Sequence, residues 1–308
     1  MIEDLVTAIR NRQAILFAGA GVSMTVGLPS WRTLVEHIAD ELGIAREAVE
    51  SADVNYLTLA EYYRIRQGSI GSLRSWMDRN WSIPDDVLAT SKVHELICSL
   101  DFPIIYTTNF DRNLETAFQL KGKDFVKIVS AKDIARVRDG VTQIVKFHGD
   151  FDDDPSIVIA ETDYLDRLSF ESPLDIKFRS DALGKTILFV GYSLSDLNIR
   201  FLLHRLWKTW QASGFERDRP RSYVFMMRPN PVEEAVLDQW GIRVITGDRN
   251  EPERALELFL SDLCKAVGAP QRVPKPEVPP AAKPRRTEVK RGVKGRGRPR
   301  PAPRSGAR

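Results

Sequence analysis

The sequence predicts an α/β protein built on a doubly wound, Rossmann-like parallel sheet, with a helical insertion and a basic C-terminal tail. Three observations predict it. Short apolar runs such as Ile15–Ala18 and Thr186–Val190 alternate with longer amphipathic segments. Strand–helix crossovers of a parallel sheet produce that alternation. Several of the runs end in small or polar residues, as the carboxyl ends of parallel strands do where they meet at a crevice. Finally, the charge divides. Gln271–Arg308 carries 13 Lys+Arg against 2 Asp+Glu, so in a chain of net charge +3 the remaining body stands at −8.

The elements follow in order. Ile2–Asn11 has apolar residues at 2, 5, 6 and 9, a helical stripe. Ile15–Ala18 is a short buried strand, and Gly19-Ala20-Gly21 turns the chain at once. Glycines there let the backbone turn sharply and approach a neighbour with no Cβ in the way. Trp31–Leu42 is a helix that Gly43 can stop. About residues 44–100, Val54–Arg66, Ile70–Trp81 and Val87–Leu100 read as helices, an insertion between the first two strands. Its aromatics Tyr56, Tyr62, Tyr63, Trp76 and Trp81 are expected in a core rather than around a ligand. Strands are expected at Pro103–Thr107, Phe125–Val129, Gln143–Phe147, Ser156–Ala160, Thr186–Val190, Ser222–Met227 and Arg243–Thr246. Helices are expected at Asp111–Phe118, Ala160–Leu168, Pro173–Leu183, Asn198–Trp210, Pro231–Trp240 and Glu251–Val267. The whole of 1–270 then forms one domain, and 271–308 a separate segment.

Composition bounds the function. With 308 residues, 43% hydrophobic and 28% charged, the chain can bury a substantial core. No apolar run approaches the roughly 20 residues that span a bilayer. The opening MIEDLVTAIRNRQ carries acids and reads as an amphipathic helix rather than a signal peptide. Two cysteines, Cys98 and Cys264, fit a reducing cytoplasm. The Pro/Arg-rich tail has too few large apolar side chains to offset its ordering entropy, so disorder is expected. Its cations suit a polyanion such as nucleic acid. Arg296-Gly297-Arg298-Pro299 also matches the core of a minor-groove hook, a tetrapeptide common by chance in such a tail.

Four motifs carry the chemistry. They are GAGVSMTVGLPSW from Gly19, TTNFD from Thr107, HGD from His148 and GYSLSD from Gly191. The first fits a phosphate-binding turn or a plain tight turn, since Met24 stands where a dinucleotide fingerprint has its third glycine. Ser23 is a phosphate donor or an N-cap. Arg32 is a phosphate contact or a solvated helical residue. Asn109, beside Thr108, can hold a ribose hydroxyl or orient a water. Asp111 can cap the helix that follows it. His148 follows an apolar strand where a crevice opens, and an imidazole of pKa about 6.5 can take a proton at neutral pH. His37, His94 and His204 sit inside helical patterns and default to structure. Gly191 permits close approach, Ser193 is a donor to phosphate or ribose, and Ser195 or Asp196 can cap the next helix.

In this order the motifs resemble the sirtuin family, whose pattern is GAG-x-S with G-[IL]-P-x-[FW]-R, T-x-N-x-D, HG and G-[TY]-S. The resemblance runs from Ile15 to about Asn198. It implies NAD as substrate, with Gly19, Ala20, Gly21, Ser23, Arg32, Thr108, Gly191 and Ser193 as binding residues. It implies His148, Asn109 and Asp111 as the catalytic set. Trp31 replaces the usual Phe. The paired cysteines of the zinc ribbon are missing, and Phe151–Asp166 holds Asp but no Cys. No zinc is expected, and deacylation is put in doubt because a tetrahedral site needs four such ligands. The chain is similar to zinc-less bacterial relatives. That branch implies an NAD hydrolase of anti-phage defence, working as a homo-oligomer or beside a partner ATPase or other defence protein. ADP-ribosyl transfer, deacylation and nucleotide sensing without turnover remain alternatives.

Overall fold

The computed structural model describes residues 2–45, 56–192, 194, 196–247 and 254–268. Ser193, the basic tail and the first residues of two expected helices lie outside the described residues.

Among the described residues, seven strands form one sheet: β1 Ala14–Ala18, β2 Ile104–Thr107, β3 Phe125–Ile128, β4 Thr142–Lys146, β5 Thr186–Val190, β6 Ser222–Met226 and β7 Ile242–Thr246. Their order is β3-β4-β2-β1-β5-β6-β7. Every pairing is parallel. β1 lies at the centre, with Phe17 opposite Tyr106 on one side and Phe189 on the other. The connection from β1 runs to one side and the later strands to the other, so the order reverses beside β1. A crevice opens at such a point beyond the carboxyl ends of the strands.

Both faces of the sheet are buried, which is why its central strands read as continuous apolar runs. Side chains alternate between the faces. Leu16, Ala18, Ile105 and Leu188 face a core built with helices Glu3–Arg10, Lys92–Ser99 and Ala255–Val267. Ile15, Phe17, Ile104 and Phe189 face a second core built with Pro173–Leu183 and Leu197–Ser213. Helices Tyr56–Gln67 and Gly71–Asn80 form a third core with Trp31–Leu42. Phe110, Phe151 and Ile159 from the loops after β2 and β4 complete it. Helices Trp31–Leu42, Tyr56–Gln67 and Gly71–Asn80 are thereby packed beside the rim of the crevice.

Some local expectations change. A helix, Ala20–Met24, starts immediately after Gly19, ahead of the helix expected near Trp31. The expected Val87–Leu100 helix is two, Asp85–Thr90 and Lys92–Ser99, divided at Ser91, whose hydroxyl caps the second. The helix expected from Asp111 begins at Asn113. Asp111 still precedes it, with Oδ1 accepting from the Asn113 N–H at 3.0 Å. Ser156–Ala160 is not a strand. Ser156 ends a single 3-10 turn, Asp154–Ser156, and the rest is a loop tied to the segment after β4 by Val158 N–H donating to the His148 carbonyl at 2.8 Å. Its alternating Ile157 and Ile159 are buried, but in the third core rather than in a sheet.

Candidate active site

A cleft of about 340 Å³ opens beyond β1, β2, β4 and β5. Ala20, Thr108, Asn109, Asp111, His148 and Gly191 all line it. The structure therefore brings together residues from all four motifs. Arg32 lies on the exposed side of Trp31–Leu42 and is not among the lining residues, whereas its neighbour Trp31 is.

The floor is set by backbone contact. Gly19 N–H donates to Val190 O at 2.9 Å, and Gly21 N–H to Gly191 O at 2.8 Å. Gly191 has φ +60, and a Cβ there would meet Val22 N at 2.5 Å. Only glycine lets the two loops touch in this way. Those two N–H groups are committed to the loop contact, so neither is open to a phosphate in this arrangement. Gly149 plays a similar part after His148, with φ +97 and the Ser156 carbonyl where a Cβ would stand.

One wall is hydrogen-bonded throughout. Ser23, buried, donates to Asp111 Oδ2 at 2.9 Å. Asn109 Nδ2 donates to Gly19 O at 3.1 Å and to Ser23 Oγ at 3.2 Å. A main-chain carbonyl can only accept, so the amide nitrogen is fixed on that side and the Asn109 carbonyl oxygen is the end that can orient a water. Beneath this wall lies Lys146, fully buried, with Nζ donating to the Asp111 main-chain oxygen. Its charge is met by Glu115 at 3.3 Å and Asp150 at 3.6 Å. Burial raises the Glu115 carboxyl against the pull of Lys146.

The opposite wall carries His148, also buried. Its Nδ1 lies 3.4 Å from the Tyr164 hydroxyl and its Nε2 3.5 Å from Asp196 Oδ2. Tyr164 donates to the same Asp196 oxygen at 2.9 Å. Asp196 Oδ1 caps helix Leu197–Ser213, accepting from Ile199 N–H at 3.0 Å. Burial pushes the His148 imidazole down to about 4, although Asp196 pulls the other way. The ring is thus neutral at pH 7, well below the value of a free histidine. His148 stands beyond β4 on the cleft, where the sequence pattern puts it, but its resting basicity is lower than the pattern suggests, because no pattern of residue types reports how completely a ring is desolvated. Burial and the Asp196 carboxylate also raise the Tyr192 phenol far above its usual range.

Several lining residues were not singled out by sequence. Tyr164 lay inside a helical stretch, and Asp196 was visible only as a cap. The sequence pattern places Tyr56 and Trp81 in a core, yet both line the cleft. Trp81 does both, being buried against Phe110 and Phe151 while facing the cavity. Trp31 lies 5.5 Å from Tyr56 and completes an aromatic rim. The spacing gave no signal for this, since a helix aromatic at the core's edge looks like one at its centre. The other histidines are structural. His37 stacks on Trp76 at 3.9 Å, His94 contacts the Ser91 hydroxyl, and His204 packs between Trp207 and Trp240. Among the described residues no group of three His, Cys, Asp or Glu is placed to hold a metal ion. No helix among them is long and apolar enough to cross a membrane.

Residues 103–245, from the start of β2 to β7, match the model of the SIR2-like domain. The chain carries a SIR2-like domain. The matched stretch includes Asn109, Asp111, His148 and Gly191. An NAD(+) hydrolase ThsA from Bacillus cereus (strain MSX-D12) is 32% identical over 273 residues, 86% of this chain and 52% of that protein. One of the same name from Enterococcus faecium is 32% identical over 207 residues, 66% of this chain and 42% of that protein. Defense-associated sirtuin 2 from Bacillus subtilis is 27% identical over 254 residues, 79% of this chain and 24% of that protein. The chain with its SIR2-like domain thus spans about half the length, or less, of these relatives.

Proposed function

We propose that the cleft hydrolyses NAD at its N-glycosidic bond, releasing nicotinamide and ADP-ribose, and that the chain acts in anti-phage defence. The observation that carries this reading is the convergence of His148 and Asn109 on one cleft of a SIR2-like domain. The names of the similar proteins support the substrate.

In this reading NAD lies across the ends of β1, β2, β4 and β5. Its pyrophosphate passes the Gly19–Ser23 turn and its adenosine half lies near Gly191. The nicotinamide end points toward Asn109 and Asp111, under the aromatic rim of Trp31, Tyr56 and Trp81. The C1′–N bond breaks with its electron pair passing to the ring nitrogen, which neutralises the pyridinium and makes nicotinamide a good leaving group. C1′ gains oxocarbenium character. A water held by the Asn109 carbonyl oxygen attacks C1′, and its proton passes to His148. A neutral resting imidazole is the form that can accept it. The Ser23 hydroxyl, engaged with Asp111, would have to exchange that bond to reach a phosphate. The basic tail is proposed as a contact for nucleic acid or a partner protein, and assembly as a homo-oligomer as the active state.

Incubation of the full chain with NAD labelled in its adenosine half tests this reading. Free labelled ADP-ribose with stoichiometric nicotinamide is expected. Label carried on protein would replace hydrolysis by ADP-ribosyl transfer, and tight binding with no nicotinamide release would replace it by sensing.

A further inference from the structure

We propose that Asp196 and Tyr164 are positioning residues that orient the His148 ring and present an acceptor to each of its nitrogens when it becomes an imidazolium. The proposal rests on the reading of His148 as the proton acceptor. Three distances carry it. Tyr164 donates its one hydroxyl hydrogen to Asp196 Oδ2 at 2.9 Å. The phenol oxygen, its hydrogen so engaged, presents a lone pair to Nδ1 at 3.4 Å. The same carboxylate oxygen stands 3.5 Å from Nε2.

Both ring nitrogens therefore face acceptors. A neutral imidazole has one N–H and satisfies only one of them, and the contact at Nε2 is not yet an aligned hydrogen bond. An imidazolium has two and satisfies both. Interactions that strengthen as the proton arrives lower the barrier, whereas equal binding of both forms would not. Burial favours the neutral ring at rest. Asp196 is held in place independently of His148, because its other oxygen caps Leu197–Ser213. The acceptor is thus fixed before the proton is transferred, as preorganised electrostatic stabilisation requires.

Other charges face this group. Arg167 opposes the protonated ring and Asp175 favours it, but the two pair with each other, so their effects offset. The phenols of Tyr56 and Tyr192 face Asp196 and stay protonated. Asp196 remains the one unopposed anion within 4 Å of the ring among the described residues.

The bland alternative is that Asp196 only caps a helix. Asp196→Asn separates the two. The amide oxygen can keep the cap, and the amide nitrogen replaces the carboxylate oxygen that faces Tyr164 and Nε2. Nitrogen-15 spectra of the full chain at pH 7 without NAD read the tautomer directly. Wild type is expected to carry its proton on Nε2, and Asp196→Asn to move it to Nδ1. In turnover, Asp196→Asn is expected to lower kcat about 10–100-fold with KM for NAD within about twofold. Tyr164→Phe keeps the carboxylate, so it should retain the Nε2 tautomer and lose only a few-fold in kcat. A wild-type tautomer and wild-type kcat in Asp196→Asn would overturn the proposal, and so would an Nδ1 proton in wild type. If Asp196→Asn does not fold, Tyr164→Phe decides: a tautomer shifted away from Nε2, or kcat unchanged, overturns it. His148→Ala with wild-type hydrolysis would instead remove the parent reading, whatever the tautomer.

Discussion

The two walls of the cleft solve opposite problems. On the wall after β1 and β2, Ser23, Asn109 and Asp111 bond to one another and to the main chain at 2.9–3.2 Å. On the wall after β4 and β5, His148 has two contacts near 3.5 Å, and its Nε2 has no aligned partner. Satisfied buried polar groups fix a unique geometry, and a partly satisfied one is where change is easiest. The first wall therefore sets shape, and the second is the one to which the proposed function gives the proton. An aspartate serves each, Asp111 bonded to Ser23 and Asp196 to Tyr164, so the difference lies in the histidine that only the second wall holds.

That contrast predicts different failures. His148→Ala removes the proposed proton acceptor and should lower NAD hydrolysis about 10²–10⁴-fold. Its folding should be intact by circular dichroism, and near-wild-type turnover would break the contrast. Gly191→Ala tests the floor common to both walls. A side chain at φ +60 whose Cβ meets Val22 N should destabilise by about 1–3 kcal/mol or more, read by urea denaturation. Ser23→Ala tests the satisfied wall. It leaves Asp111 Oδ2 and one Asn109 N–H without their partner, so a loss of about 1–3 kcal/mol is expected. A thermal midpoint equal to wild type would show the wall to be less committed than its distances imply.

The smallest effect is on pH. His148 and His94 are both buried with pKa near 4. Between about pH 6.5 and 4 the unfolded chain takes up protons at these positions and the folded chain does not, so stability falls as pH drops through that window. Above it the contribution is constant. His94→Gln should flatten part of the slope in thermal midpoint against pH. An unchanged slope would mean that carboxylates alone govern acid unfolding.

The sequence reading succeeded where periodicity and burial coincide. Thr186–Val190 and Pro173–Leu183 were legible to the residue, because an apolar run buried on both faces and a helix capped by Ser172 leave little freedom. That Asn109, Asp111 and His148 stand beyond strand ends was legible, because such ends announce themselves by a change from apolar to polar residues. Residue partnerships were not. Nothing in the sequence links Tyr164 to Asp196, 32 positions apart, or places Trp81 at once in a core and on a cleft. Ser156–Ala160 misled because Ile157 and Ile159 alternate for burial in the third core, against Trp31–Leu42 and Tyr56–Gln67, rather than for a sheet.

The most direct measurement is nicotinamide release from NAD by the full chain, beside His148→Ala under the same conditions. The account predicts release with equal ADP-ribose in wild type and a loss of at least about 10²-fold in the variant. Equal release from both proteins would contradict it.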